Sequence, residues 1–175
     1  MNKNTVRQEL KKIDIIDKET KSAIICSKLI SSEEYVNARS IFVYLATDRE
    51  VATDVIVKDA LLRNKRVFVP ITTEVMRLAK INEKTQFGIK KFGIREPKTP
   101  ILCDAIPDLS IIPLVGFDRN LNRLGHGAGY YDKWLNGKNT KKIALAFAEQ
   151  EVGNVYSDEY DVKMDKIITD KEILV

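Results

Sequence analysis

Ile41-Phe-Val-Tyr-Leu-Ala46, a helical stretch over Thr53 to Arg63, and Val67-Phe-Val-Pro-Ile71 form a β-α-β unit. Both apolar runs are continuous rather than alternating, the texture of strands buried on two faces of a parallel sheet. Downstream the same texture returns in Ser110-Ile-Ile-Pro-Leu-Val115, Ile143-Ala-Leu-Ala-Phe147 and Lys166-Ile-Ile-Thr169. Pro113 lacks an N–H, so it must sit at a bulge, an edge or the strand's end. Val75 to Ile81 alternates imperfectly and reads as an edge or hairpin strand. Loop signals follow at Gly88, Gly93, Pro97, Pro100 and Pro107.

Upstream the chain reads as helical. Val6, Leu10 and Ile13 recur at helical spacing, Asp17 is placed to cap a second segment, and Ile24, Ile25 and Leu29 continue an apolar stripe. Ser32 ahead of Glu33-Glu-Tyr35 opens a short third helix. The expectation is an α/β fold: a single layered domain over 1–175, with an N-terminal helical segment and a mostly parallel central sheet of about five to seven strands flanked by helices.

A chain of 175 residues, 44% hydrophobic and 31% charged, is long enough for one ordinary core. Its net charge of +4 arises from 29 basic and 25 acidic residues dispersed along the chain. The basic residues do not alternate with aromatics, so nucleic acid is not the expected partner. No signal-peptide core and no run long enough for a membrane span occur, so a cytoplasmic protein with no membrane partner is expected. Two cysteines without CxxC spacing and one histidine leave no metal cluster of the zinc type to build. Cys26, inside Ala23-Ile-Ile-Cys26, reads as a buried small hydrophobe.

The candidate chemistry lies in Arg123-Leu-Gly-His-Gly-Ala-Gly-Tyr-Tyr-Asp132. Gly125, Gly127 and Gly129 allow positive φ and close approach, so successive backbone N–H groups can face an anion. The helix that follows would aim its N-terminus at the same place. Arg123 offers a fork suited to phosphate oxygens, and Asp132 could hold a phosphate-bridging magnesium ion directly or through water. A plain tight turn with a surface Arg123–Asp132 ion pair satisfies the same residues. The spacing matches neither the dinucleotide GxGxxG nor the GxxxxGK[ST] loop. His126 could touch substrate or face solvent. Lys3 and Arg7, four apart, share a helix face. Glu50 follows the Ile41 strand, where open α/β sheets gather ligands.

Taken together with Phe117-Asp118 and Leu135, the glycine segment resembles the signature of the 5-formyltetrahydrofolate cyclo-ligase family. Lys3-Asn-Thr-Val-Arg7, Glu50-Val-Ala-Thr53, Gly93-Ile-Arg-Glu-Pro97, Asp108-Leu-Ser-Ile-Ile-Pro113, Gln150, Tyr160-Asp-Val162 and Ile168-Thr169 follow the family's order over nearly the whole chain. Leu121 stands where the family usually has glycine, and Ala128 where it often has glycine or lysine.

The resemblance implies ATP-driven closure of 5-formyltetrahydrofolate to 5,10-methenyltetrahydrofolate, with ATP and Mg²⁺ required and folate and ATP as small-molecule partners. It implies ATP contacts at Lys3, Asn4, Thr5, Val6 and Arg7, and along Arg123, Leu124, Gly125, His126, Gly127, Ala128, Gly129, Tyr130 and Tyr131. Arg123 would be catalytic. Leu45, Glu50 and Tyr130 would bind substrate, Tyr130 facing the ligand while Tyr131 packs inward. Asp132 and Asp161 would hold the metal. A monomer is slightly favoured. Two other readings of the residues are a sugar-phosphate isomerase or CoA-transferase relative using Glu50 or Asp132 as base, and a basic nucleotide- or RNA-binding module.

Overall fold

Successive residues of a buried strand must satisfy two cores at once. In the computed structural model, which describes residues 1–175, Ile41 and Val43 enter one core cluster and Phe42 the other. In chain order the elements are α1 (Lys3–Leu10), α2 (Lys18–Ile30), α3 (Glu33–Asn37), β1 (Ser40–Val43), α4 (Asp54–Leu62), β2 (Arg66–Thr72), β3 (Met76–Ile81), β4 (Phe87–Ile89), β5 (Arg95–Pro97) and β6 (Ile101–Cys103). They continue with β7 (Leu109–Ile112), β8 (Gly116–Phe117), β9 (Arg123–Leu124), α5 (Tyr130–Leu135), β10 (Lys141–Leu145), β11 (Lys166–Ile168) and β12 (Ile173–Leu174).

The main sheet has the order β12-β11-β10-β7-β1-β2-β3-β6, with the β4-β5 and β8-β9 ribbons apart from it. From β11 through β2 every pairing is parallel, and antiparallel strands close both edges. The architecture is the expected α/β layered one. The sheet has eight strands rather than five to seven, because β6 and β12 are three and two residues long, below the length at which an apolar pattern registers. The Val75 to Ile81 segment does form a hairpin with β2, but β6 covers its outer side, so it is not an edge.

Two strands end earlier than their apolar runs, and both endings build the site. β7 stops at Ile112, immediately before Pro113. β1 stops at Val43: the Tyr44 carbonyl accepts from the Thr53 hydroxyl at 2.6 Å and the Tyr44 hydroxyl donates to the Val51 carbonyl at 2.8 Å. The chain therefore bends away from the sheet at Leu45.

α2 and α4 cover one face through Ile25, Leu29, Ile56 and Ala60, and α5 lies on the other with Leu135. α1 belongs to neither. At eight residues it is too short to persist alone. It is held by Val6 and Leu10, which pack with Leu124 and Val155. Burying two such side chains contributes about 1.5–3 kcal/mol each. Ile13 and Ile24, expected on apolar stripes, are exposed: Ile13 follows the end of α1, and Ile24 faces away from the sheet. Ser32 caps α3, accepting from the Tyr35 N–H at 3.3 Å. Asp17 precedes α2 but makes no cap. Its left-handed backbone (φ 56°, ψ 42°) replaces the extended conformation from which a cap side chain reaches the first-turn amides. Cys26 is buried as expected, and burial pushes its thiol up to about 11.

Two carboxylates staple the layers. Glu96 of β5 accepts from the Thr72 N–H and hydroxyl at 3.0 and 3.1 Å and pairs with Lys90. Asp108 accepts from the Arg39 and Ser40 N–H groups at 2.8 and 3.0 Å. Burial alone would raise both carboxyls, but these partners outweigh it and hold both below their ordinary values. A carboxyl depressed in the folded state adds stability above its unfolded value and loses it as pH falls through the folded one. Urea unfolding midpoints should therefore hold steady down to about pH 5 and drop below it. A midpoint flat through the acid range would contradict this.

Candidate functional site

β1 sends its connection toward β2, while β7, on β1's other side, sends its own toward β10. The direction of winding reverses between β1 and β7, and open α/β sheets bind ligands outside the carboxyl ends of strands at such a point. A cleft of about 860 Å³ opens there, floored by Tyr44, Leu45, Pro70, Thr72 and Pro113 from the ends of β1, β2 and β7. That lies toward the upper end of the ~300–1,000 Å³ range of small-molecule sites.

The glycine segment forms one wall. Gly127 (φ 114°) and Gly129 (φ 71°) adopt left-handed backbone that only glycine takes without strain. Gly125 is required for a different reason: a Cβ there would lie 2.9 Å from Nη1 of Arg123. The loop is gripped from two sides. From α1, Arg7 Nε donates to the Gly125 carbonyl at 2.8 Å while its Nη1 is steadied by Asn4 at 2.7 Å. From beneath, Arg123 donates to the Pro113 carbonyl at 3.1 Å and to Asp132 at 2.8 Å. α5 is only six residues long, so its first-turn amides matter more than any long-helix dipole.

Arg123 is not a free fork at the entrance. Its side chain is 3% exposed, Asp132 is 15% exposed, and the pair lies under the loop. Nε of Arg123 is buried without a partner. The guanidinium also sits over the Tyr131 ring at 5.7 Å. Tyr131 packs inward against Phe42, ring centres 6.0 Å apart, and burial raises its phenol well above the ordinary range, with the Glu50 charge adding to this. Tyr130 lines the cleft and donates to the Thr73 carbonyl at 3.1 Å. Tyr131 borders the cleft as well, so both tyrosines line it.

Glu50 lines the same cleft beside the loop's tip, with its side chain 9% exposed. One oxygen accepts from the Thr47 N–H at 2.8 Å and the other meets His126 Nε2 at 3.1 Å. His126, 59% exposed at the loop's tip, therefore joins the glycine loop to Glu50.

Lys3 reaches the cleft between Asp158 and Asp161, at 2.6 and 2.5 Å. Partial burial opposes its charge, but the two carboxylates outweigh that and raise the ammonium. Asp161 also accepts from the Asp158 N–H at 2.8 Å on the oxygen that meets Lys3, leaving its Oδ1 without a protein partner. Asp132 accepts from the Val162 N–H at 3.1 Å on the oxygen not bonded to Arg123. No three His, Cys, Asp or Glu side chains converge as a ready cage. A magnesium ion fits this donor set only if phosphates and water supply most of its ligands, the usual arrangement in nucleotide enzymes.

The fold brings together Lys3, Arg7, Leu45, Glu50, the loop from Arg123 to Gly129, Tyr130, Tyr131, Asp132 and Asp161 around one cleft. It does not bring Asn4, Thr5 or Val6 to the cleft wall: Val6 is buried against Leu124, Thr5 bonds Asn2, and Asn4 holds Arg7. Thr72, Phe92, Arg95, Lys133 and Tyr160 also line the cleft, unanticipated. Phe92, 90% exposed with φ 63°, stands out in the sequence as one aromatic between Lys90-Lys91 and Gly93. Leu121 takes φ 65°, the backbone the family's glycine would suit, while its side chain packs on the α5 core. No helix is long and apolar enough to cross a membrane.

The fold has counterparts among known proteins. The solved structure of 5,10-methenyltetrahydrofolate synthetase from Aquifex aeolicus superposes with a TM-score of 0.85 at 26% identity, covering 99% of this chain and 92% of that one. The Mycoplasma pneumoniae 5,10-methenyltetrahydrofolate synthetase gives a TM-score of 0.74 at 25% identity, covering 97% and 99%. The 5-formyltetrahydrofolate cyclo-ligase of Mus musculus is 31% identical, over 93% of this chain and 89% of its own length. The sequence model of the 5-formyltetrahydrofolate cyclo-ligase family matches residues 1–170, and the chain belongs to that family.

Proposed function

We propose that the protein closes 5-formyltetrahydrofolate to 5,10-methenyltetrahydrofolate at the expense of ATP, releasing ADP and phosphate. The observation that carries this reading is one cleft lined by both the glycine loop and Glu50, which meet at the 3.1 Å His126–Glu50 contact. Phosphate donor and folate can then meet inside a single cleft.

The loop amides, with Lys3 and Arg7 beside them, hold the nucleotide's phosphates. Arg123 acts from below as a fixed charge, oriented by Asp132 and Pro113. Leu45 and Tyr130 flank the folate, and Glu50 accepts N–H groups of its pterin once His126 yields. Asp161 would offer its free Oδ1 to a magnesium ion, with phosphates and water supplying the other ligands. Bound magnesium would neutralise charge on the transferring phosphoryl group.

The formyl oxygen attacks the γ-phosphorus and ADP leaves. N10 then attacks the activated formyl carbon, loses its proton, and phosphate departs with the former formyl oxygen. No enzyme nucleophile is needed. Catalysis rests on alignment and charge stabilisation. With a heavy-oxygen label in the formyl group, the released phosphate should carry the label. Label found in water or in folate would exclude this route.

A further inference from the structure

The β4-β5 ribbon lies apart from the main sheet, on the connection between β3 and β6. No residue from Phe87 to Pro97 belongs to a core cluster, and Ile89 and Phe92 are exposed, so hydrophobic burial does little to fix its place. Yet Phe92, Ile94 and Arg95 line the main cleft. Whatever seats the ribbon therefore shapes that part of the wall.

Two side chains tie the ribbon outward. Arg95 donates to Asp54 at 2.9 Å, which sets the ribbon beside the segment that carries Glu50, but Asp54 is 66% exposed and such a pair is weak. Glu96 differs in depth, at 3% exposed. Its Oε1 accepts from both the N–H and the hydroxyl of Thr72, at 3.0 and 3.1 Å, and Thr72 ends β2 and lines the cleft. Its Oε2 pairs with Lys90, just after β4. One carboxylate thus joins the ribbon to the sheet with one oxygen and the ribbon to itself with the other.

We propose that Glu96 is a positioning residue: it seats the β4-β5 ribbon on the end of β2 and so completes the wall against which folate binds. The proposal rests on the reading of the main cleft as the folate site. A ribbon that leaves its seat must return before folate can bind. Apparent affinity then falls in proportion to the seated fraction, while turnover of the bound complex is unchanged.

Glu96→Ala and Glu96→Gln separate this role from a general contribution to stability. Glutamine keeps an oxygen for the two Thr72 donors and gives up only the pairing with Lys90. With Glu96→Ala the folate KM should rise about tenfold, the scale of losing a charge-assisted hydrogen bond, with kcat within about twofold of the parent and the nucleotide Kd unaltered. Glu96→Gln should recover most of that rise. Hydrogen exchange read by mass spectrometry should show amides 87–97 losing protection in Glu96→Ala and keeping it in Glu96→Gln, with the main sheet unchanged in both. A folate KM that does not move in Glu96→Ala, a rise of equal size in Glu96→Gln, or unaltered ribbon exchange would overturn the proposal. If Glu96→Ala does not fold, the unaltered protein decides. Its amides 87–97 should exchange through a local opening that folate slows and nucleotide does not, and exchange through global unfolding alone would overturn the seat. Absence of turnover in the parent would defeat the catalytic reading alone, since ribbon exchange and a folate Kd from titration calorimetry still compare the two variants.

Discussion

Arg123→Ala is expected to unfold at markedly lower urea concentration than the parent, with a loss of roughly 3–5 kcal/mol, the scale for removing one partner of a buried ion pair. The Arg123 side chain is 3% exposed and Asp132 15%, so truncation leaves a carboxylate without its cation in a region where water compensates poorly. It also removes the contact to the Pro113 carbonyl and the surface against which Gly125 rests. Nucleotide use should fall with stability, because the loop loses its support from beneath. Arg123→Lys should recover part of the stability, since it restores the charge but cannot bond Pro113 and Asp132 in one plane. Urea midpoints and nucleotide titrations on the three proteins give the comparison. A midpoint for Arg123→Ala equal to the parent's would mean that Asp132 is adequately solvated without it.

Glu50→Ala should behave in the opposite way, with folate use falling steeply while the fold and nucleotide affinity persist. Glu50 lies on the wall of the cleft, its neighbours Thr47 and His126 are accessible to water or exposed, and its removal opens no cavity inside a core cluster. Charge-assisted hydrogen bonds contribute about 1.5–3 kcal/mol, so one or two lost pterin contacts correspond to a rise in folate KM of roughly one to two powers of ten or more. The measurement is folate KM at saturating ATP beside the nucleotide Kd. An unchanged folate KM would remove Glu50 from the substrate site.

The difference between Arg123 and Glu50 explains what could be read from the sequence. Continuous runs such as Ile41 to Ala46 announce a parallel sheet because burial on two faces leaves no alternation. The β-α-β order then places Glu50 beyond a strand end. Pro113 narrows β7 to a bulge, an edge or an end without choosing among them, and nothing in the run from Ile41 to Ala46 marks the end of β1 at Val43. What the sequence does not carry is depth. Arg123 and Asp132 stand nine apart across a loop, a spacing that serves a surface ion pair, a phosphate fork with a metal ligand, or the buried pair seen here. Only the packing of Phe42, Tyr131 and α5 around them decides it.

The same holds for the N-terminal segment. Lys3 and Arg7 share a helix face with no sign of what they meet, whereas the structure brings Arg7 to the Gly125 carbonyl and Lys3 to Asp158 and Asp161. Contacts separated by more than a hundred residues are set by how α1 docks through Val6 and Leu10, not by local pattern. The short strands β4, β5, β6 and β12 escape sequence reading because two or three residues present no period. Phe92, which the β4-β5 ribbon carries to the cleft, escapes with them.

The account as a whole stands on one reaction. Purified protein mixed with 5-formyltetrahydrofolate, ATP and Mg²⁺ should develop the near-ultraviolet absorbance of the methenyl product, with ADP released in equal amount and no absorbance change when ATP is omitted. Folded protein that produces no methenyl absorbance, or that produces it equally well without ATP, would contradict the assignment of the glycine loop and Glu50 to this chemistry.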